Sequence, residues 1–380
     1  GLAELAACRQ LTLLNLARNQ LARGHIGELS QLSQLRVLGL RQTGVTDTDL
    51  VPLASLKQLA TLQLSRNPIS DRALDAVASL PQLTLLHAID TKVTTAGSLA
   101  AVAKSPQLVI TCPDGEIGSR MIAVTRPIDP NLTKQIGRFK KLRSLQLSDT
   151  PITKDHMVPL LALEQLRSLG LHSSRLTKLG FTDLRVFTAL EQLDLSQTQF
   201  GNQDLSQLIS LTKLETLFVD DTQITNPGLK HLAAMRQLRA LSLAGTRISD
   251  AGLPQLARCR SLESVDISGT RITNNGLTAL APLTRLKSLS SGNTRISNTG
   301  LRQICSLSSL EILWVDNTMI TDAGLPALGM IKQLRELDLS GCRITDAGLD
   351  HIANITNLKT LVLNDTQVTQ KGIIVLQSQL

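Results

Sequence analysis

The sequence predicts an α/β solenoid, a stack of short coils that each contribute one strand and one helical segment. Three observations predict it. The pattern Leu-x-x-Leu-x-Leu-x-x-Thr-x-Ile-Thr-x-x-Gly-Leu-x-x-Leu recurs every 24 residues, most cleanly in 238–261 and 310–333. The opening leucines run Leu11, Leu35, Leu59 and Leu83, then, after a disturbed stretch, from Leu142 at regular spacing to Leu358. The composition is 42% hydrophobic and 18% charged with one Trp and no Tyr, so the core is leucine and not aromatic. A period of this length marks units whose apolar sides are covered only by their neighbours. Such an array grows by stacking, so 380 residues need not divide into several domains.

Each coil can be built from its spacing. In Leu238-x-x-Leu241-x-Leu243, alternation puts Leu241 and Leu243 on one face of a short strand and leaves Ser242 and Ala244 on the other. Ile248 turns inward, and Ser249 is placed to cap a short helix carrying Leu253 and Leu256. Gly252 within that helix costs about 0.5–1 kcal/mol relative to Ala. Its recurrence at Gly228, Gly276, Gly300, Gly324, Gly348 and Gly372 implies close packing of neighbouring helices. Thr222, Thr246, Thr270, Thr294 and Thr318 follow the strand where the backbone crosses the interior. Their hydroxyls are expected to satisfy buried backbone groups. Asn19, Asn67 and Cys342 hold the same place in other repeats.

The resulting organisation is one continuous solenoid with three stretches. Residues 1–108 hold four regular repeats, 109–141 an irregular repeat with an insertion, and 142–380 ten regular repeats. Leu108 and Leu142 lie 34 residues apart, ten more than one repeat, and Pro113, Asp114, Gly115 and Gly118 interrupt the pattern. Ile122 and Val124 still alternate, Ile128 and Leu132 can return to the core, and Ile136 with Phe139 can stand for a helix. Arg120, Arg126, Lys134, Arg138, Lys140 and Lys141 make this stretch basic. At the ends, Gly1, Leu2, Leu5 and Cys8 fall in phase as the tail of an earlier repeat, and Gln379 and Leu380 stop short of completing the last one. Solenoids need capped ends, so the chain is expected to be a piece of a longer protein.

Formal net charge is +8. Residues 1–141 hold 16 Lys and Arg against 10 Asp and Glu, and residues 142–380 hold 23 against 21. Nucleic acid is not expected as a partner, because the basic third lacks the aromatics that would stack bases. No run of 18 apolar residues exists, so no membrane span is expected. Cys8 and Cys259 share the apolar position of Leu283, and Cys305 falls on the outer segment. Five unclustered cysteines favour a cytoplasmic or bacterial setting over a disulfide-rich extracellular one. Three Asn-x-Thr matches, at Asn131, Asn354 and Asn364, are a product of a Thr-rich repeat.

Catalytic constellations are missing. There is no His-Glu-x-x-His, no Gly-x-x-x-x-Gly-Lys-Ser/Thr, no Cys-x-x-Cys and no Gly-x-Ser-x-Gly. The six histidines form no metal-ligand spacing. No enzymatic activity, cofactor or metal is expected in this chain.

The repeat in 310–325 resembles the leucine-rich repeats of the cysteine-containing, F-box-associated type, with Thr for the usual Cys, which Cys342 restores. It is also similar to the Thr-bearing repeats of bacterial leucine-rich repeat proteins. The resemblance implies a horseshoe with parallel strands on its concave face and helices on its convex face, and protein recognition on the concave side.

The outward columns of that sheet are then the candidate site. Ten strands from Leu142 to Leu363 would extend roughly 45 Å. The central column reads Gln146, Gly170, Asp194, Phe218, Ser242, Asp266, Ser290, Trp314, Asp338, Val362, and the next includes His172, Asp220, Asp316 and Asn364. Phe218 and Trp314 are the expected anchors. Asp194, Asp220, Asp266, Asp316 and Asp338, together with Asp149, Asp221 and Asp365, form an acidic band that favours a basic protein or peptide partner. Arg175, Arg247, Arg271, Arg295 and Arg343 recur beside it and are expected to pair with it. Glu215, Arg239, Glu263, Lys287, Glu311 and Arg335 alternate in sign from coil to coil, as neighbours on adjacent strands prefer. Arg18, Arg36, Arg41 and Arg66 make the early strands basic. The expected function is a non-catalytic scaffold binding a partner on the concave face. The alternatives are the substrate-recruiting or sensor region of a larger ubiquitin ligase or receptor kinase, and a glycan or small-ligand binder.

Overall fold

A computed structural model describes all residues except Gly1, Ala22, Arg23, Gly24, Arg175, Thr177 and Leu380, with backbone alone for Lys178, Leu179, Gly180 and Gln379. The expectations for Gly1 and Leu380 therefore lie outside the described residues. The chain forms two compact units, Gly1–Leu169 and Gly170–Leu380.

The first unit contains β1 (Leu13–Asn15), β2 (Val37–Gly39), β3 (Thr61–Gln63), β4 (Leu85–His87), β5 (Val109–Cys112), β6 (Gly115–Ile117), β7 (Met121–Val124) and β8 (Ser144–Leu147). Neighbours from β1 to β5 pair in parallel, each residue against the one 24 positions on. The disturbed stretch keeps this sheet going. β5, β6 and β7 form an antiparallel meander, and β7 returns to parallel pairing with β8. The ten extra residues are thus an added strand with its turns. Gly115 permits the tight turn at φ 150°, where a Cβ would lie 1.9 Å from the Ala123 carbonyl oxygen. Ile122, Val124, Ile128 and Ile136 are buried as expected, but Leu132 and Phe139 are only half-buried. Asp129 caps the helix Pro130–Ile136 by accepting the Leu132 amide at 2.8 Å, which holds Leu132 in its exposed first turn.

β9 (Ser168–Gly170) spans the boundary. The second unit contains β10 (Gln192–Asp194), β11 (Thr216–Phe218), β12 (Ala240–Ser242), β13 (Ser264–Asp266), β14 (Ser288–Ser290), β15 (Ile312–Trp314), β16 (Glu336–Asp338) and β17 (Thr360–Val362), paired in parallel with a constant offset of 24. One coil shows the packing. Leu238, Leu241, Leu243, Ile248, Leu253 and Leu256 are all fully buried. Each such side chain contributes about 1.5–3 kcal/mol, and truncating one to Ala costs about 2–5 kcal/mol. Phe200 fills the Ile position of its coil and meets Phe181 edge-on, ring centroids 5.2 Å apart.

The return segments are short α and 3₁₀ helices. Three nine-residue 3₁₀ segments, Asp47–Ser55, Asn226–Ala234 and Asp322–Met330, each carry a proline, at Pro52, Pro227 and Pro326. Proline supplies no amide for the helical ladder.

The threonine ladder behaves as expected. Thr222, Thr246, Thr270, Thr294 and Thr318 each donate to the carbonyl three residues back at 2.6–2.7 Å. Asn67 instead donates to the Leu40 and Leu64 carbonyls and accepts the Thr43 and Gly44 amides. Cys342 donates to the Val315 carbonyl at 3.2 Å.

The recurrent glycine has a more specific cause than helix packing. A Cβ on Gly252 would lie 2.6 Å from Asn226 Oδ1, and one on Gly276 the same distance from Asp250 Oδ1. Those side chains bridge coils. Asn226 accepts the Ser249 amide and donates to its hydroxyl, both at 2.9 Å. Ser249 is therefore held by the preceding coil and makes no side-chain cap to its own helix. The same link joins Asp47 to Ser70, Asp71 to Thr94, Asn202 to Thr225, Asn274 to Ser297, Asn298 to Thr321, Asp322 to Thr345 and Asp346 to Thr369.

One cysteine expectation is corrected: Cys8 is exposed, whereas Cys305 caps the return helix Asn298–Ile304 as an outer-segment residue and is buried there. Cys259 lies between coils carrying Met235 and Leu283 at its place. Burial pushes the Cys259 thiol up to about 11 and the Cys305 thiol up to about 12. No disulfide and no metal-competent cluster of His, Cys, Asp and Glu occurs among the described residues. No described helix is long and apolar enough to cross a membrane.

Candidate functional site

The outward face of β10 to β16 brings Asp194, Phe218, Asp266, Trp314 and Asp338 into one column, with Asp220 and Asp316 two residues on from Phe218 and Trp314. Register pairs Asp194 with Phe218, Phe218 with Ser242, Ser242 with Asp266, Asp266 with Ser290, Ser290 with Trp314, and Trp314 with Asp338. The column reads Asp, Phe, Ser, Asp, Ser, Trp, Asp, the same in either direction but for the identity of the aromatic. Phe218 is 40% exposed and Trp314 44%. They stand four strand spacings apart, roughly 19 Å, so the two rings are separate and form no continuous platform.

The carboxylates are half-buried and partly committed to backbone. Asp194, Asp266 and Asp338 each accept the amide two residues on, from Ser196 at 2.9 Å, Ser268 at 2.8 Å and Ser340 at 2.8 Å. This local turn explains a carboxylate at the strand end. Their Oδ2 atoms carry no hydrogen bond among the described residues. Asp316 accepts from the side-chain amides of Asn293 and Asn317 at 3.3 and 3.0 Å, over Gly292, where a Cβ would lie 2.1 Å from its Oδ1.

Asp220 is the most constrained of the set. Its carboxylate accepts the Ser242 hydroxyl and the Ala244 amide, the latter at 2.9 Å. Burial pushes its carboxyl above the ordinary 3.8. The two hydrogen bonds pull it partly back, and the charges of Asp266 and Asp194 push it further up.

Three members of the expected acidic band have another explanation. Asp149, Asp221 and Asp365 have φ of 57°, 52° and 55°, at a place where other coils carry Asn293, Asn317 or a glycine. Short polar side chains and glycine are the residues that tolerate this left-handed backbone. The acidic face is thus the five remaining aspartates.

The expected neutralisation by arginine does not occur. Among the described residues, no ion pair joins Arg247, Arg271, Arg295 or Arg343 to any carboxylate; Arg175 lies outside them. These arginines follow the left-handed residue and stand on the edge of the coil, exposed. The alternating column does pair, with Arg239 and Lys287 bracketing Glu263 at 2.8 and 2.9 Å and Arg335 on Glu311 at 3.4 Å. The hydrogen bond from Lys287, above all, holds the Glu263 carboxyl below its ordinary value. In the first unit, Arg66 pairs with Asp90 at 3.2 Å, and Arg41 is half-buried in a hollow with Gln63 and His87. The early basic face is correspondingly reduced.

Sequence reading did not single out Met319, 61% exposed, which interrupts the arginine edge. The signal for it is the column across repeats: Gln223, Arg247, Arg271, Arg295, Met319, Arg343, Gln367.

Residues 258–281 match a leucine-rich repeat model, and 332–371 match a model of two such repeats. Both matches lie in the second unit. No curated protein matches the chain by sequence. Among solved structures, an internalin of Listeria monocytogenes is 21% identical with a TM-score of 0.50, covering 98% of this chain and 86% of that one. A leucine-rich repeat protein of Leptospira interrogans is 17% identical with a TM-score of 0.59, covering 95% and 98%. At these identities the likeness is one of fold.

Proposed function

We propose that the strand face of β10 to β16 is a non-catalytic docking surface for a basic protein segment, with its coils of the Thr-bearing 24-residue type. The observation that supports it most is the two-ended column centred on Asp266, with an exposed aromatic beside a carboxylate at each end. Exposed aromatics beside half-buried carboxylates suit lysine or arginine side chains, whose stems pack on a ring while their heads meet the acid. An extended segment covers the roughly 19 Å between anchors in about six residues. The fold itself is one that serves as a binding scaffold by stacking coils into an extended surface. If the chain belongs to a larger ligase or receptor, this face is its recruiting or sensing surface.

The test is selection of random dodecapeptides displayed on phage against the wild-type chain, counter-screened on Phe218→Ala/Trp314→Ala. Both substitutions fall on exposed positions, so circular dichroism and melting should match wild type. Selected peptides should be rich in Lys and Arg and lose about 10- to 100-fold in affinity on the double variant, in line with loss of two interface anchors. Peptides that bind the folded double variant as tightly as wild type reject the proposal.

A further inference from the structure

We propose that the edge formed by Arg247, Arg271, Arg295, Met319 and Arg343 docks an acidic protein segment carrying one apolar side chain. This surface is distinct from the strand face and takes the opposite charge. The five residues hold one place in five successive coils. Backbone bonds tie each to the coil before it: Arg247 amide to Ile224 carbonyl at 3.2 Å, Arg271 to Ile248 at 3.0 Å, Met319 to Ile296 at 2.8 Å and Arg343 to Ile320 at 3.1 Å. Arg295 is bridged to Thr273 in the same ladder. These bridges set each member against the residue two places beyond its predecessor, so successive members stand one coil apart.

Three guanidinium groups thus stand in one row. All four arginines are exposed and without an ion-pair partner among the described residues. On the strand side their neighbours are Gly245, Gly269, Asn293 and Gly341, which carry no charge. The carboxylates on the other side are occupied. Asp250 gives both oxygens to Thr273, and Asp322 both to Thr345. The contrast with the strand-entry column is direct, since there the fold alternates signs and forms ion pairs. Like charges on adjacent strands are unfavourable, so this row costs the isolated chain stability that an anionic partner would return.

Met319 identifies the kind of anion. It interrupts the row between Arg295 and Arg343 and borders a hollow of about 400 Å³ that also includes Asn317, Gly341 and Arg343. A thioether in a hollow receives an aliphatic side chain. Nucleic acid would call for aromatic rings beside the arginines, and this row has none. Carboxylates at alternate positions of an extended segment repeat about every 6.7 Å, which sets two or three of them along the three arginines, each able to take a bidentate guanidinium contact.

The test uses the full chain and fluorescence anisotropy of a fluorescein-labelled Glu-Gly-Glu-Gly-Glu-Gly-Leu peptide in about 50 mM salt, where surface charge is little screened. Arg247→Ser/Arg271→Ser/Arg295→Ser should weaken binding about tenfold or more. Met319→Ser should weaken the leucine peptide several-fold, about as loss of one apolar contact does, and leave its Leu→Ser analogue unchanged. Phe218→Ala/Trp314→Ala should leave both unchanged, so failure here is separable from failure on the strand face. If the triple variant does not fold, Arg271→Glu alone serves in its place. Wild-type affinity in the folded arginine variants, absence of peptide binding to the wild type, or tighter arginine-dependent binding of a thymidine hexanucleotide would each overturn the proposal.

Discussion

Asp250 and Thr273, 23 residues apart, are joined twice: Oδ1 accepts the Thr273 amide at 2.8 Å and Oδ2 accepts its hydroxyl at 2.6 Å. The bridge fills the space a side chain on Gly276 would need, since a Cβ there would lie 2.6 Å from Oδ1 and 2.9 Å from the Asp250 Cα. Asp250→Ala should cost about 1–3 kcal/mol by orphaning the amide. Gly276→Ala should cost about 1–3 kcal/mol by overpacking. The two share one cause, so the double variant should cost less than the sum by at least about 0.5 kcal/mol. Urea unfolding of the four chains measures this, and simple additivity would count against a shared site.

The alternation of leucines, the 24-residue period and the small polar residue after each strand were sufficient to place every regular strand and its register. They determine which side chains lie inside, and burial has one dominant solution for such a pattern. Links between coils were less legible. The role of Gly252 depends on Asn226, 26 residues earlier, and nothing in one coil's own sequence announces it. Asp221 was read with Asp220 as part of one acidic band because their spacing is adjacent, but left-handed backbone at Asp221 separates a conformational choice from a surface one. The arginine edge was visible as a recurrence. Its separation from the aspartates was not, because it depends on the left-handed residue that stands between them in each coil.

Burial gives Asp220 a stability contribution that depends on pH. Its folded pKa is raised above the unfolded one by burial, so its contribution to stability is fully present below about 3.8 and is lost as pH rises through the raised value. Asp220→Asn should remove that dependence: melting temperatures of wild type and variant should converge or invert in favour of wild type as pH falls from 7 through that value. A basic peptide bound beside Asp220 should bind less well over the same window, as the carboxylate takes up a proton. Carbon-13 NMR of the side-chain carboxyl reads the midpoint directly, and a value below 3.8 would contradict the assignment.

Gly115 holds the added strand in place. Any Cβ there collides with the Ala123 carbonyl, and φ of 150° disfavours other residues. Gly115→Ala should open the β5–β6–β7 meander, with a cost of about 1–3 kcal/mol. Amide exchange should then rise selectively over 110–124 while the second unit keeps its protection. Uniformly increased exchange would show that the meander is not a separable element.

The bridges between coils make the array indifferent to its own length. Excising 248–271 would bring Thr273 to the place of Ser249, 23 residues beyond Asn226, and the hydroxyl and amide that Asn226 needs would both be supplied. Ser242 would then neighbour Ser290, and the two aromatic anchors would be one strand closer. Loss or duplication of a single coil therefore acts as a ruler adjustment. The scaffold should tolerate it, while the length of any partner docked on the strand face would decide which version it recognises.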